Sequence, residues 1–99
     1  MTEGNQSIKI LSQKYMIVEV PVIEQGERYA GLIDHFNNTI YLCSTLNEDK
    51  KSVTLLHEIL HAVFAQLGFS EEHDNEHLID SLASSIYQVL RDNKNLFTF

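Results

Sequence analysis

Basic residues are scarce in this sequence. Seven Lys and Arg stand against fourteen Asp and Glu, giving a formal net charge of −7, and no basic cluster is larger than Lys50–Lys51. Neutralising phosphates requires a cationic surface, so nucleic acid and anionic membrane are not expected partners. A single cysteine, Cys43, excludes an internal disulfide and suits a reducing, cytoplasmic setting. The segment MTEGNQSIKI has no basic stretch followed by an apolar one, so no secretory signal is expected. Long apolar runs are missing as well. The longest, Tyr15 to Ile23, is interrupted by Glu19 and Pro21 and falls short of the ~20 residues that span a bilayer.

What is present is enough for one core. The 99 residues are 43% hydrophobic and 21% charged, which argues against disorder and for a single domain over 1–99. A chain this short buries only about two-thirds of its unfolded surface, so a bound metal would add useful stability.

The pattern along the chain predicts an α+β fold of three or four strands followed by two helices. Residues 1–7 are polar and read as flexible. Ile8, Ile10 and Leu11, then YMIVEVPVI (15–23), read as strands, with Pro21 marking an edge or an end. EQGER (24–28) reads as a turn. YAGLIDHF and TIYLC flank Asn37–Asn38, a hairpin signal. In TIYLC the alternation sends Ile40 and Leu42 to the core and Tyr41 to the other side, near solvent or a cleft.

Thr45 followed by Glu48 fits a capping box, with Asn47 as the alternative cap, for a helix over 48–67 that Gly68 terminates. Val53, Leu56, Leu60, Val63, Phe64 and Leu67 form its apolar stripe, widened by Leu55, Ile59 and Ala62. After the polar link SEEHDN a second helix runs from Glu76 to Arg91, with Ile79, Leu82, Ala83, Ile86 and Leu90 on one side. The C-terminal tail (93–99) carries Leu96, Phe97 and Phe99, which either fold back or present an apolar patch.

Within the first helix, TLLHEILHAVF (54–64) places two histidines four apart with a glutamate directly after the first. His57 and His61 share one helix face, their Cβ atoms ~5–6 Å apart, and two ring nitrogens can then converge on one zinc at ~2.0–2.1 Å. Glu58 lies about 100° around the helix from His57, placed to act as general base on a metal-activated water. The pattern is short and recurs by chance in unrelated helices. Here it sits mid-helix in an apolar stretch, where each unsatisfied polar group costs about 1–3 kcal/mol to bury, and a metal removes that cost.

A catalytic zinc takes three protein ligands and keeps a fourth position open. Phe64 and Leu67 occupy the places where the HExxHxxGxxH pattern needs glycine and histidine, so that class is excluded. The third ligand must come from His73, Asp74, Glu76, His77 or Asp80. Glu76 is best placed because Asp80 follows it on the same helical face, where Asp80 can accept a hydrogen bond from a ligand imidazole. His77 is the main rival, His73 reads as a surface residue, and His35 reads as a turn histidine that could face the cleft. For the oxyanion, Tyr41, His35, His73 and Tyr87 are candidates that the sequence does not rank.

TLLHEILHA, preceded by a G…IYL hairpin and followed by NEHLIDSLASSIYQVL, resembles the small ImmA/IrrE-type zinc peptidases, in particular the short phage and prophage versions. The resemblance covers roughly residues 30 to 92. In that family the downstream helix carries a pattern like E-x-x-A-N-x-F-A, and Glu76, Ile79, Asp80, Leu82 and Ala83 occupy the matching places. Ile79 and Asp80 depart from the usual alanine and asparagine, and the gap from His61 to Glu76 is short for the family. The layout also resembles gluzincins and the minigluzincins.

The resemblance implies zinc held by His57, His61 and Glu76, with Glu58 as base and Asp80 behind a ligand. It implies a minimal zincin-like domain, a small twisted sheet packed on the active-site helix. TIYLC would be its edge strand, with Ile40, Tyr41 and Leu42 pairing with an extended peptide by strand addition. The expected activity is zinc-dependent hydrolysis of peptide bonds in a protein or peptide substrate, inside a bacterial or phage-infected cell. The alternatives are an inactive, zinc-stabilised protein-binding module and a metal-free domain in which both histidines are structural.

Overall fold

Alternation of apolar and polar residues builds the first half of the chain. The computed structural model describes residues 6–24, 27 and 29–98. β1 (Gln6–Ile10) and β2 (Gln13–Val20) pair antiparallel across a two-residue turn in which Leu11 takes a left-handed φ of 53°. Gln6 and Ser7, expected to be flexible, are the first residues of β1. Residues 1–5 and most of the expected turn at 24–28 lie outside the described residues. Pro21, which has no N–H for a ladder, follows the last residue of β2.

β3 (Gly31–Asp34) and β4 (Thr39–Cys43) form the hairpin expected around Asn37–Asn38. The Asp34 carboxylate accepts hydrogen bonds from the N–H groups of Phe36 and Asn37 at 3.0 and 3.1 Å, and Asn38 adopts a left-handed φ of 48°. β4 then lies parallel to β2, giving the sheet order β1-β2-β4-β3. This corrects one expectation. Ile40, Tyr41 and Leu42 belong to an interior strand hydrogen-bonded on both sides, and β3 is the edge strand next to the helices. The hairpin folds back so that its second strand, with Ile40 0% and Leu42 3% exposed, takes the central, most buried place.

The second half is helical. α1 (Glu48–Leu67) contains neither Gly nor Pro, and Asn47 caps it by accepting a hydrogen bond from the Lys50 N–H at 2.8 Å. Thr45 does not cap; its hydroxyl lies 3.1 Å from the Cys43 thiol. Gly68 ends the helix with a φ of 81°. The link SEEHDN contains a four-residue helix, α2 (Ser70–His73), and Asn75 caps α3 (Glu76–Asp92). In the tail, a 3-10 turn over Lys94–Leu96 leaves Leu96 exposed. The architecture is α+β, and among the described residues no helix is long and apolar enough to cross a membrane.

α1 turns a different face to the protein than its apolar stripe suggests. Its buried residues are Thr54, Glu58, His61 and Ala62, whereas Leu67 is exposed. Leu55, Ile59 and Val63, beside that face, pack on a cluster that includes Ile10, Tyr15, Ile17, Ile40 and Leu42. The helix is tied at both ends. Lys51 pairs with Glu19 of β2 at 2.9 Å. Near the other end Gln66 donates to Ile10 O at 2.7 Å and accepts from the N–H and hydroxyl of Ser12.

Between these ties, α1 meets β3 closely at Gly31. A Cβ there would stand 2.6 Å from Thr54 Cγ2 and 3.2 Å from Glu58 Oε2. Gly31→Ala is therefore expected to destabilise the protein by about 1–3 kcal/mol, seen as a lower urea midpoint. The penalty should shrink when Thr54 is also changed to Ser, which removes Cγ2. A Gly31→Ala protein as stable as the parent would contradict this packing.

Candidate metal centre

Successive turns of α1 put His57 and His61 on one side, and the first residue of α3 brings Glu76 to meet them. His57 Nε2 and His61 Nε2 are 3.2 Å apart, and Glu76 Oε1 lies 3.1 Å from the first and 3.3 Å from the second. Atoms bonded at ~2.0–2.1 Å to a tetrahedral zinc lie roughly 3.3 Å from one another. The triangle thus has the size of one face of a zinc tetrahedron. Among the described residues no other group of His, Cys, Asp and Glu has metal-holding geometry. The rival ligand His77 is exposed and outside this group.

Proton placement makes the same point. His57 Nδ1 lies 2.7 Å from Asp80 Oδ1, so that nitrogen donates to the carboxylate, and a neutral His57 then presents the lone pair of Nε2 to the triangle. Burial holds the His61 pKa below its usual value, against the pull of Glu76 in the other direction. Three electron-rich atoms therefore converge, an arrangement that repels itself unless a proton or a cation sits among them. Nitrogen, nitrogen and oxygen donors at this spacing fit zinc.

Glu58 lies against the Gly31 contact, 6% exposed, on the wall of a cleft of about 670 Å³ between α1 and β3. Burial, and then the negative charges of Glu76 and Asp80, push its carboxyl pKa up to about 7. The cleft is also lined by His73 of α2 and by Glu76 and Asp80 of α3.

His73 departs from expectation, and His35 is a turn histidine that also faces the cleft. His73 is half-buried rather than on the surface, with Nδ1 2.8 Å from His61 Nδ1. His35, in the β3–β4 turn, faces the cleft and meets the His73 ring edge-on at 5.2 Å; burial and the neighbouring His73 and His61 lower its pKa. Of the four oxyanion candidates these two line the cleft. Tyr41 belongs to a hollow lined also by Val20 and Leu32, and Tyr87 donates to Asp49 near the start of α1. Tyr29, a cleft residue, carried no sequence signal beyond its place before Gly31. Comparison of the chain with protein-family models, with curated proteins and with solved structures finds no match.

The raised Glu58 pKa has a measurable consequence in metal-free protein. Between about 4.5 and 7 the folded chain keeps a proton on Glu58 that the unfolded chain has released. The contribution of Glu58 to stability is therefore greatest below that window, falls as pH rises through it, and is lower by up to about 3 kcal/mol above it. Glu58→Gln stays uncharged throughout. In chelator-treated protein it is expected to flatten this fall and to raise the denaturation midpoint at mildly alkaline pH; equal pH profiles for the two proteins would refute the burial argument.

Proposed function

We propose that this protein is a zinc-dependent peptidase of minimal zincin-like, gluzincin type. The observation that carries the reading is the triangle of His57 Nε2, His61 Nε2 and Glu76 Oε1, with sides of 3.1 to 3.3 Å, set beside a buried glutamate on the wall of an open cleft. His57, His61 and Glu76 would hold the metal. When bound, zinc supplies Lewis acidity, polarising a carbonyl oxygen and making a water acidic.

The chain's own residues do the rest. Glu58 takes a proton from the attacking water and returns it to the leaving amine. Its pKa of about 7 in metal-free protein lies in the range where a general base and acid is most effective near neutrality. A cation in the triangle would offset the repulsion from Glu76 and Asp80 and favour the ionised, basic form. Asp80 fixes the tautomer and orientation of His57.

An extended peptide adds to β3, the edge strand that borders the cleft, antiparallel or parallel to Gly31–Asp34, and its backbone lies alongside Glu58. The substrate is accordingly a protein or peptide in an extended stretch. A reducing, cytoplasmic setting suits this reading, since the single cysteine, Cys43, is buried and its thiol donates to Pro21 O.

Protein purified without chelator is expected to carry about one zinc per chain by elemental mass spectrometry. Glu76→Ala should lose it. Glu58→Gln should keep it while slowing peptide hydrolysis by about 10²–10⁴-fold. Zinc retained by both wild type and Glu58→Gln, with neither cleaving any peptide, would replace the peptidase with the zinc-stabilised binding module; no zinc in the wild type, before or after dialysis against it, would remove the metal site altogether.

A further inference from the structure

We infer that His73 is a positioning residue for the metal centre, an imidazole that fixes the tautomer of His61. The inference rests on the reading of His57, His61 and Glu76 as metal ligands. A histidine that binds metal through Nε2 gives up the lone pair there, so in its neutral form the proton is on Nδ1. Among the described residues the His61 Nδ1 proton has one partner in reach, His73 Nδ1 at 2.8 Å. His73 must accept at that nitrogen, and its own proton is then confined to Nε2.

The ring is held for this role from three sides. α2 presents it, with the His73 N–H donating to Phe69 O at 2.9 Å. Phe69 packs edge-on against Phe64 of α1 at 6.2 Å between centroids, which seats α2 on the end of the metal helix. Across the cleft the His35 ring meets His73 edge-on at 5.2 Å, and His61 meets it from the other side at 4.9 Å. Metal-ligating histidines usually donate to a carboxylate, a carbonyl or water. Here His57 has the carboxylate of Asp80 and His61 the ring of a second imidazole. The two ligand rings are thus oriented by chemically different partners, and α2 is tied directly to the helix that carries His61.

Two substitutions of similar shape separate orientation from packing. Asn places an amide oxygen near the position of the histidine Nδ1 and can accept the same hydrogen bond; Leu fills that space without accepting one. Zinc dissociation constants for wild type, His73→Asn and His73→Leu, measured by competition with a chromophoric chelator, are expected to show about 10–100-fold weakening for Leu and near-wild-type affinity for Asn. Melting temperatures of the two metal-free variants should agree with each other. In zinc-loaded wild type, long-range ¹H–¹⁵N spectra should show His61 protonated at Nδ1 and His73 at Nε2.

A Leu variant that binds zinc as tightly as wild type, an Asn variant as weak as Leu, or a His73 proton at Nδ1 would each overturn the inference. The spectrum needs no variant and decides the matter even if one fails to fold. Wild type that binds no zinc would instead overturn the metal site itself, an outcome the same titration distinguishes.

Discussion

The functional geometry depends on how closely α1 lies on β3. At Gly31 the strand has no side chain, and Thr54 and Glu58 fill the space that a Cβ would claim. This contact sets the depth of Glu58 below the surface and hence the electrostatic cost of its charge. A polar helix face buried in this way stabilises nothing by itself. The apolar work falls to its flanks, where Leu55, Ile59 and Val63 pack on the sheet, and to Ile79 and Ala83 of α3, each 0% exposed. The Glu19–Lys51 pair and the Gln66 hydrogen bonds then hold the helix along its length.

With the helix fixed, the imidazoles are aimed from behind. Each of His57 and His61 has a partner on its Nδ1, a carboxylate for one and a ring nitrogen for the other. The two Nε2 atoms face each other and Glu76, and burial holds the His61 pKa below its usual value. On the reading proposed above, these partners would orient both rings toward the metal.

Much of this was legible in the sequence, and the rest was hidden for identifiable reasons. The helix limits follow from local signals, namely Gly68 and an uninterrupted stretch before it, although the capping box read at Thr45 gives way to the alternative cap, Asn47. The hairpin at Asn37–Asn38 is equally local. The buried face of α1 was misread because a hydrophobic stripe assumes that burial follows apolarity, whereas this helix buries Thr54, Glu58 and His61. The position of β4 depends on a parallel pairing with β2, a strand well back in the chain, and alternation within TIYLC carries no information about which strand lies at an edge. His73 looked like a surface residue because SEEHDN is polar; its contacts with His61 and His35 join residues far apart in the chain, which local sequence does not reveal.

The three converging side chains differ in how much they see of solvent. His61 is 8% exposed and His57 20%, while Glu76 is 65% exposed. On the reading proposed above, a metal would be screened from solvent on its nitrogen side and open on its carboxylate side, and Glu76 would be the ligand that water or a competing chelator meets first.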